Sequence, residues 1–117
     1  MNDSDLKKLQ EVEFQILKDF AEAWNTLNAE KLLQHLDDSF IYDSQWVLES
    51  LDCEGYKKYL RGKFETLRNK GISIKADLVN DTTFGGGMVR LIQNGQTILY
   101  RIKEKEGKVI KGDMCMF

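Results

Sequence analysis

Two runs of alternating apolar and polar residues flank the dipeptide Asn94-Gly95, and this feature constrains the fold more than any other in the sequence. The pair Asn-Gly readily adopts the positive φ angles that a two-residue hairpin turn requires. Such a turn also sets the register, because it places Leu91 opposite Ile98 and Val89 opposite Tyr100 on one face. The second half of the chain is therefore predicted to form an antiparallel sheet.

A second hairpin is predicted before the last strand, with a choice between two loop lengths. A two-residue loop at Glu106-Gly107 places Ile102 opposite the charged Lys111. A three-residue loop, Lys105-Glu106-Gly107, instead pairs Ile102 with Ile110. Because the second pairing buries two apolar side chains against each other, it favours the three-residue loop.

The predicted sheet has two different faces. One face is apolar and has to be covered by helices, and it carries Val89, Leu91, Ile98, Tyr100, Ile102, Ile110, Met114 and Met116. The opposite face mixes apolar and charged side chains, a composition that suits a second subunit. We therefore expect a homodimer that forms through the outer face, at Met88, Arg90, Leu99, Arg101, Cys115 and Phe117.

The first half of the chain has apolar residues at steps of three and four, the spacing of helices that bury one face. The longest stripe predicts a helix over residues 6–27. Asn28 is expected to cap a short second helix over residues 29–36. A third helix begins near Gly55, and Gly71 is suited to its left-handed stop. Strands are predicted at residues 40–43, 47–53 and 72–79.

Length, charge and hydropathy exclude several classes of protein. A chain of 117 residues is ordinary for one domain, which we place at residues 1–117. With 17 Lys and Arg against 19 Asp and Glu, the chain has no basic excess for binding nucleic acid. No apolar run reaches the roughly 18 residues of a membrane span, so we expect a cytoplasmic protein that does not bind membranes.

The sequence offers little for metal or cofactor chemistry. A His-rich metal site cannot form within one chain, because His35 is the single histidine. The two cysteines, Cys53 and Cys115, are far apart and form no C-x-x-C motif. We therefore expect neither a metal ion nor a cofactor.

The predicted order of elements is helix, helix, short strand pair, helix and a four-stranded antiparallel meander. Four segments accompany this order: FAEAWN at residues 20–25, Asn28, LDDSFIYD at residues 36–43 and EGY at residues 54–56. Together they resemble the nuclear-transport-factor-2-like superfamily, in its SnoaL-like and ketosteroid-isomerase-like branch, over nearly the whole chain. The resemblance implies an α+β fold in which a cone-shaped, curved antiparallel sheet wraps around the long N-terminal helix.

The resemblance further implies an apolar cavity inside the cone that holds a small apolar ligand. The side chains expected to line it are aromatic residues and methionines, namely Phe20, Trp24, Tyr42, Trp46, Tyr59, Tyr100, Met114 and Met116. Asp43 matches the position of the catalytic base and is expected beside the cavity. The oxyanion hole of steroid isomerases is not matched, because Phe20 lacks a hydroxyl and the acid position falls on Ile98 or Leu99. Tyr100 and Tyr59 are the candidate replacements.

Three functions fit these features. The first is a small-molecule binding domain without assured catalysis, in which Asp43 and one or two tyrosines orient an apolar ligand. The second is an isomerase, hydratase or cyclase that uses Asp43 as general base. The third is a dimerisation or protein-interaction module whose cavity is filled by its own Phe20, Trp24 and Met114. Because this fold carries all three functions, the resemblance does not choose among them.

Overall fold

Three helices and six strands make up the protein in a computed structural model that describes residues 3–44, 49–79 and 87–116. Side chains are described at positions 11–44, 49–79 and 88–114. The elements in chain order are α1 (Asp3–Thr26), α2 (Glu30–Leu33), β1 (Leu36–Ser44), β2 (Leu51–Asp52), α3 (Cys53–Asn69), β3 (Lys75–Val79), β4 (Gly87–Gln93), β5 (Gln96–Lys105) and β6 (Lys108–Met116).

The long helix α1 ends close to the predicted position, and its apolar stripe is buried from Ile16 to Leu27, whereas Val12 is 42% exposed. Asn25 ties the end of this helix to the sheet, because its amide donates to the Ala76 carbonyl at 2.9 Å and accepts from the Ala76 N–H at 2.7 Å. Leu27 then takes a φ angle of 53°, which stops the helix. The FAEAWN segment therefore combines core packing with a link between α1 and β3.

Helix α2 is shorter than predicted, and Asn28 does not cap it. The N-cap residue is Ala29, with no capping hydrogen bond from a side chain. The predicted helix over residues 29–36 is wrong at its C-terminal end, because Leu36 already pairs with Val109 in the sheet. The Val109 N–H donates to the His35 carbonyl at 2.8 Å, so strand pairing ends the helix.

Helix α3 begins two residues before the predicted start. The Asp52 side chain is its N-cap and accepts a hydrogen bond from the Gly55 N–H at 2.7 Å. At the other end Gly71 has a φ angle of 68°, the left-handed conformation predicted for the helix stop. The buried face of α3 consists of Cys53, Tyr56, Leu60, Phe64 and Leu67.

The strands form one curved, open sheet in the order β2-β1-β6-β5-β4-β3. Neighbouring strands are antiparallel except β1 and β6, which run parallel. The predicted pair at residues 40–43 and 47–53 appears as β1 and β2, with residues 45–48 outside the described residues. The α+β fold with a curved sheet around the long helix is confirmed.

The Asn94-Gly95 turn has the predicted geometry, and its register is confirmed. Both residues have positive φ angles, 51° and 77°. Leu91 lies opposite Ile98 and Val89 opposite Tyr100. The turn chemistry alone was therefore sufficient to predict how β4 and β5 pair.

The predicted three-residue loop of the second hairpin is wrong. Lys105 lies directly opposite Lys108, so the turn contains Glu106 and Gly107 alone, with φ angles of 53° and 79°. The register then shifts between Lys103 and Glu104, and Ile102 faces Gly112. The bulge places Gly112 and Met114 opposite Ile102 and Tyr100 on the inner face, where an uninterrupted two-residue register would have placed the charged Lys111 and Asp113. Val109 is buried, whereas Ile110, predicted on the core face, is only half-buried.

Candidate functional site

Five of the predicted ligand-binding side chains lie together in the core. Each is at most 4% exposed, and they are Phe20, Trp24, Tyr42, Tyr100 and Met114. Tyr59 is partly buried and packs against this cluster. Trp46 lies outside the described residues, and Met116 belongs to β6 with a side chain that is not described. Within the described part of the chain, these side chains pack against one another inside the cone, where the sequence placed a ligand.

A hydrogen-bonded group of tyrosines crosses this interior. Tyr100 donates its hydroxyl to the Tyr56 hydroxyl at 2.8 Å, and both residues are fully buried. Tyr42 lies 4.5 Å from Tyr56, measured between ring centroids, and donates its hydroxyl to the Met114 sulfur at 3.6 Å. Burial raises the pKa of Tyr42 to about 12 and that of Tyr56 well above its usual range. These phenols therefore stay neutral at physiological pH.

A small open pocket lies where the β4–β5 turn meets α3, and we call it the turn pocket. Its volume is about 160 Å³. The residues that line it come from α3, the turn, β5 and β6, namely Lys63, Gln93, Asn94, Gln96, Ile98 and Met114. Met114 is the predicted ligand-binding residue that lines it. Lys63 and the three amide residues were not predicted from the sequence as site residues.

Lys63 is the charged residue of the turn pocket, and two aromatic rings hold it in place. Its Nζ lies 5.8 Å from the centroid of the Trp24 ring and 5.9 Å from that of Tyr59. Burial lowers the pKa of Lys63. The spacing of Tyr59 and Lys63, four positions apart on a helix, is the signal from which their contact could have been predicted.

Asp43 lies on the outer face of the sheet, which corrects its predicted place beside the cavity. Residues alternate between faces along a strand, and its neighbour Tyr42 points inward, where it is 1% exposed. The Asp43 carboxylate accepts a hydrogen bond from the Ser50 hydroxyl and lies 4.0 Å from the Lys111 Nζ. A carboxylate in this place cannot reach a ligand in the turn pocket, so the geometry offers no support for its use as a general base there.

The described members of the predicted dimer interface share one face of the sheet. Arg90 is opposite Leu99, and Met88 is opposite Arg101. Arg90 forms an ion pair with Asp77 at 2.6 Å. Leu99 is opposite Cys115, whose side chain is not described, and Phe117 lies outside the described residues. The homodimer itself stays a prediction.

Among the described residues, no three His, Cys, Asp or Glu side chains are grouped closely enough to hold a metal ion. The described helices include none with the length and hydropathy of a membrane span.

Comparison with known proteins identifies the fold. No protein-family model and no curated protein matches the chain. A SnoaL-like protein of unknown function from Burkholderia thailandensis E264 is 15% identical with a TM-score of 0.74, over 92% of this chain and 97% of that chain. An NTF2-like protein from Anabaena variabilis ATCC 29413 is 13% identical with a TM-score of 0.70, over 92% and 88%.

An enzyme has a similar structure as well. An LEH-like epoxide hydrolase from M. tuberculosis is 11% identical with a TM-score of 0.59, over 92% of this chain and 84% of that chain. Such low identity establishes the fold alone. The chain has the nuclear-transport-factor-2-like fold of SnoaL-like proteins, and the resemblance seen in its sequence is confirmed at that level. One of these neighbours is an enzyme and another has no known function, so function has to be argued from the site.

Proposed function

We propose that this protein binds a small molecule in the turn pocket. The observation that carries the proposal is the contrast in packing between the buried tyrosine cluster and this pocket. The pocket has apolar walls at Ile98 and Met114 and polar groups at Lys63 and the turn. Most of its lining is polar, so hydrogen bonds would orient a small ligand while the two apolar side chains contact its hydrocarbon part.

The size of the pocket limits the ligand. Its volume of about 160 Å³ is close to the roughly 150 Å³ of an engineered cavity that holds benzene. Pockets for drug-sized molecules are larger, about 300 Å³ or more. We therefore expect a ligand with one ring or a short alkyl chain, bound in the turn pocket and not in the cone where the sequence placed a small apolar ligand.

A fragment titration followed by amide chemical shifts tests this proposal. The neutral probes are phenylacetamide, indole and hexanamide, added up to millimolar concentrations. We expect at least one probe to shift the backbone signals of Gln96, Ile98 and Met114 in a saturable manner. If all three probes leave these signals unchanged, the proposed function is wrong.

A pair of variants on β5 locates the binding. Ile98→Trp fills the pocket and is expected to abolish the shifts, whereas Thr97→Trp adds the same ring on the opposite face and should preserve them. Ile98 is half-buried at the edge of the core, so the larger side chain can extend into the pocket volume. Equal binding by both variants would place the ligand elsewhere and contradict the proposal.

Assembly through the outer sheet face is a second candidate function. It is supported by the exposed Arg90 and the half-buried Leu99, which lie opposite each other on one face of the sheet. Sedimentation equilibrium should give a dimer, and Leu99→Glu should convert it to a monomer because the added carboxylate would lose its hydration in the interface. A monomer at high micromolar concentration would contradict this candidate.

A further inference from the structure

The cations of α3 differ in whether the protein supplies an anionic partner. Lys57 forms an ion pair with Glu54 at 3.5 Å, and Arg61 pairs with Glu30 at 2.7 Å. Lys63, on the pocket side of the same helix, has no carboxylate within ion-pair distance among the described residues. A half-buried ammonium without a counter-ion is the least compensated charge on this helix.

The surroundings of Lys63 keep it in place without neutralising it. The Trp24 and Tyr59 rings attract the ammonium at 5.8 Å and 5.9 Å, and they also take water away from it. Loss of hydration makes the charged form less favourable, which agrees with the lowered pKa of this amine. An anion that enters the pocket would replace the lost hydration and complete an ion pair at little entropic cost, because the side chain is already held.

Given that the turn pocket binds a small molecule, we infer that its ligand is a small aryl or alkyl monocarboxylate, with the carboxylate paired to the Lys63 ammonium. The inference rests on the proposed function and adds the chemical class of the ligand. Gln93, Asn94 and Gln96 each carry an amide NH₂ at the rim of the pocket, where it can donate to the second carboxylate oxygen. Ile98 and Met114 are left to contact the hydrocarbon part.

Three probes of equal size and different charge test the inference. Phenylacetate is the anion, phenylacetamide the neutral isostere and phenethylamine the cation, and binding of each is followed by amide chemical shifts. We expect phenylacetate to bind at least about tenfold more tightly than phenylacetamide. A hydrogen bond to a charged group typically strengthens binding by more than that factor. Phenethylamine should bind most weakly.

Two lysine variants on the same helix separate the pocket charge from the general charge of the protein. Lys63→Met keeps an unbranched apolar stem and is expected to bring the two affinities within about twofold of each other. Lys58→Met removes the same charge from an exposed position of α3 and should preserve the tenfold preference. Thermal unfolding of both variants checks that each is folded.

Each outcome decides between the two proposals. Equal binding of all three probes to the wild-type protein would overturn the carboxylate inference and leave the proposed function standing. Loss of the preference in Lys58→Met as well as in Lys63→Met would also overturn it, because the preference would then reflect long-range charge. Failure of phenylacetate and phenylacetamide to bind would overturn the carboxylate inference, and failure of indole and hexanamide as well would overturn the proposed function.

Discussion

The buried tyrosine cluster and the turn pocket share helix α3 and strand β5, but the first is tightly packed and the second is open. Tyr100 is fully buried and donates its hydroxyl to Tyr56, whereas Ile98, two residues earlier on the same face of β5, lines the open pocket. Two residues along a strand span about 7 Å. Over that distance the inner face changes from packing that stabilises the fold to a surface open to a ligand. Met114 belongs to both regions, since it accepts from Tyr42 and lines the pocket.

The largest expected effect on stability comes from removing an aromatic ring that packs against the buried tyrosine cluster. Phe20 is 0% exposed and packs edge-on against Tyr100 at 5.6 Å between ring centroids. Phe20→Ala is expected to lower the free energy of unfolding by about 3–5 kcal/mol, because it leaves a cavity in the core. Phe14→Ala on the same helix, at a side chain 58% exposed, should change it by less than about 0.5 kcal/mol. Urea denaturation measures both, and similar values for the two variants would break the distinction.

Alkaline pH tests the same cluster without a substitution. All four tyrosines have a raised pKa, mainly because burial disfavours the phenolate. The unfolded chain releases these protons near pH 10.0, and the folded chain retains them to higher pH, about 12 for Tyr42. Stability is therefore complete below pH 10 and falls above it, by about 1.4 kcal/mol per pH unit for each buried tyrosine.

Tyrosinate absorbance and circular dichroism recorded in one titration measure this effect. We expect most of the absorbance change to coincide with unfolding rather than to precede it. If two or more tyrosines ionise reversibly near pH 10 while the dichroism stays that of the folded protein, the cluster is more open to solvent than its packing implies.

The sequence was sufficient for the fold where short-range chemistry decides the structure. The positive φ angles of Asn94-Gly95 and Gly71 and the helical stripe of α1 depend on local preferences, and all were predicted. The second hairpin was not, because its bulge depends on which residues of β6 face the core, Gly112 and Met114 in place of Lys111 and Asp113. Local turn preferences do not include the free energy of burying side chains across the sheet.

The site was predicted less well because it depends on how side chains fill space. Resemblance brought Phe20, Tyr100 and Met114 together, but it could not indicate that their rings leave no open cone among the described residues. Asp43 follows Tyr42 on the same strand, so strand alternation places the two on opposite faces, whereas the resemblance placed both beside the cavity. Lys63 was missed because a polar residue in an amphipathic helix is normally read as exposed.

A pair of glycine variants gives a smaller effect with opposite signs in the two variants. A Cβ at Gly112 would lie 2.7 Å from the Tyr100 hydroxyl oxygen and 3.1 Å from the Phe40 ring. Gly112→Ala is expected to lower the free energy of unfolding by about 1–3 kcal/mol, because the packed rings must move. Gly62→Ala, in α3 with nothing within 4 Å, should raise it by about 0.5–1 kcal/mol. If neither change lowers the free energy of unfolding, the rings around Gly112 are packed less tightly than the structure indicates.

The smallest expected effect on stability lies in the turn pocket, where binding should change instead. Gln96 is exposed at the turn and lines the pocket. Gln96→Ala should alter the free energy of unfolding by less than about 0.5 kcal/mol, yet weaken phenylacetate binding several-fold, because one amide donor to the carboxylate is lost. Urea denaturation and the shift titration measure the two quantities. A loss of stability with unchanged affinity would mean that Gln96 contributes to the packing of the core and does not contact the ligand.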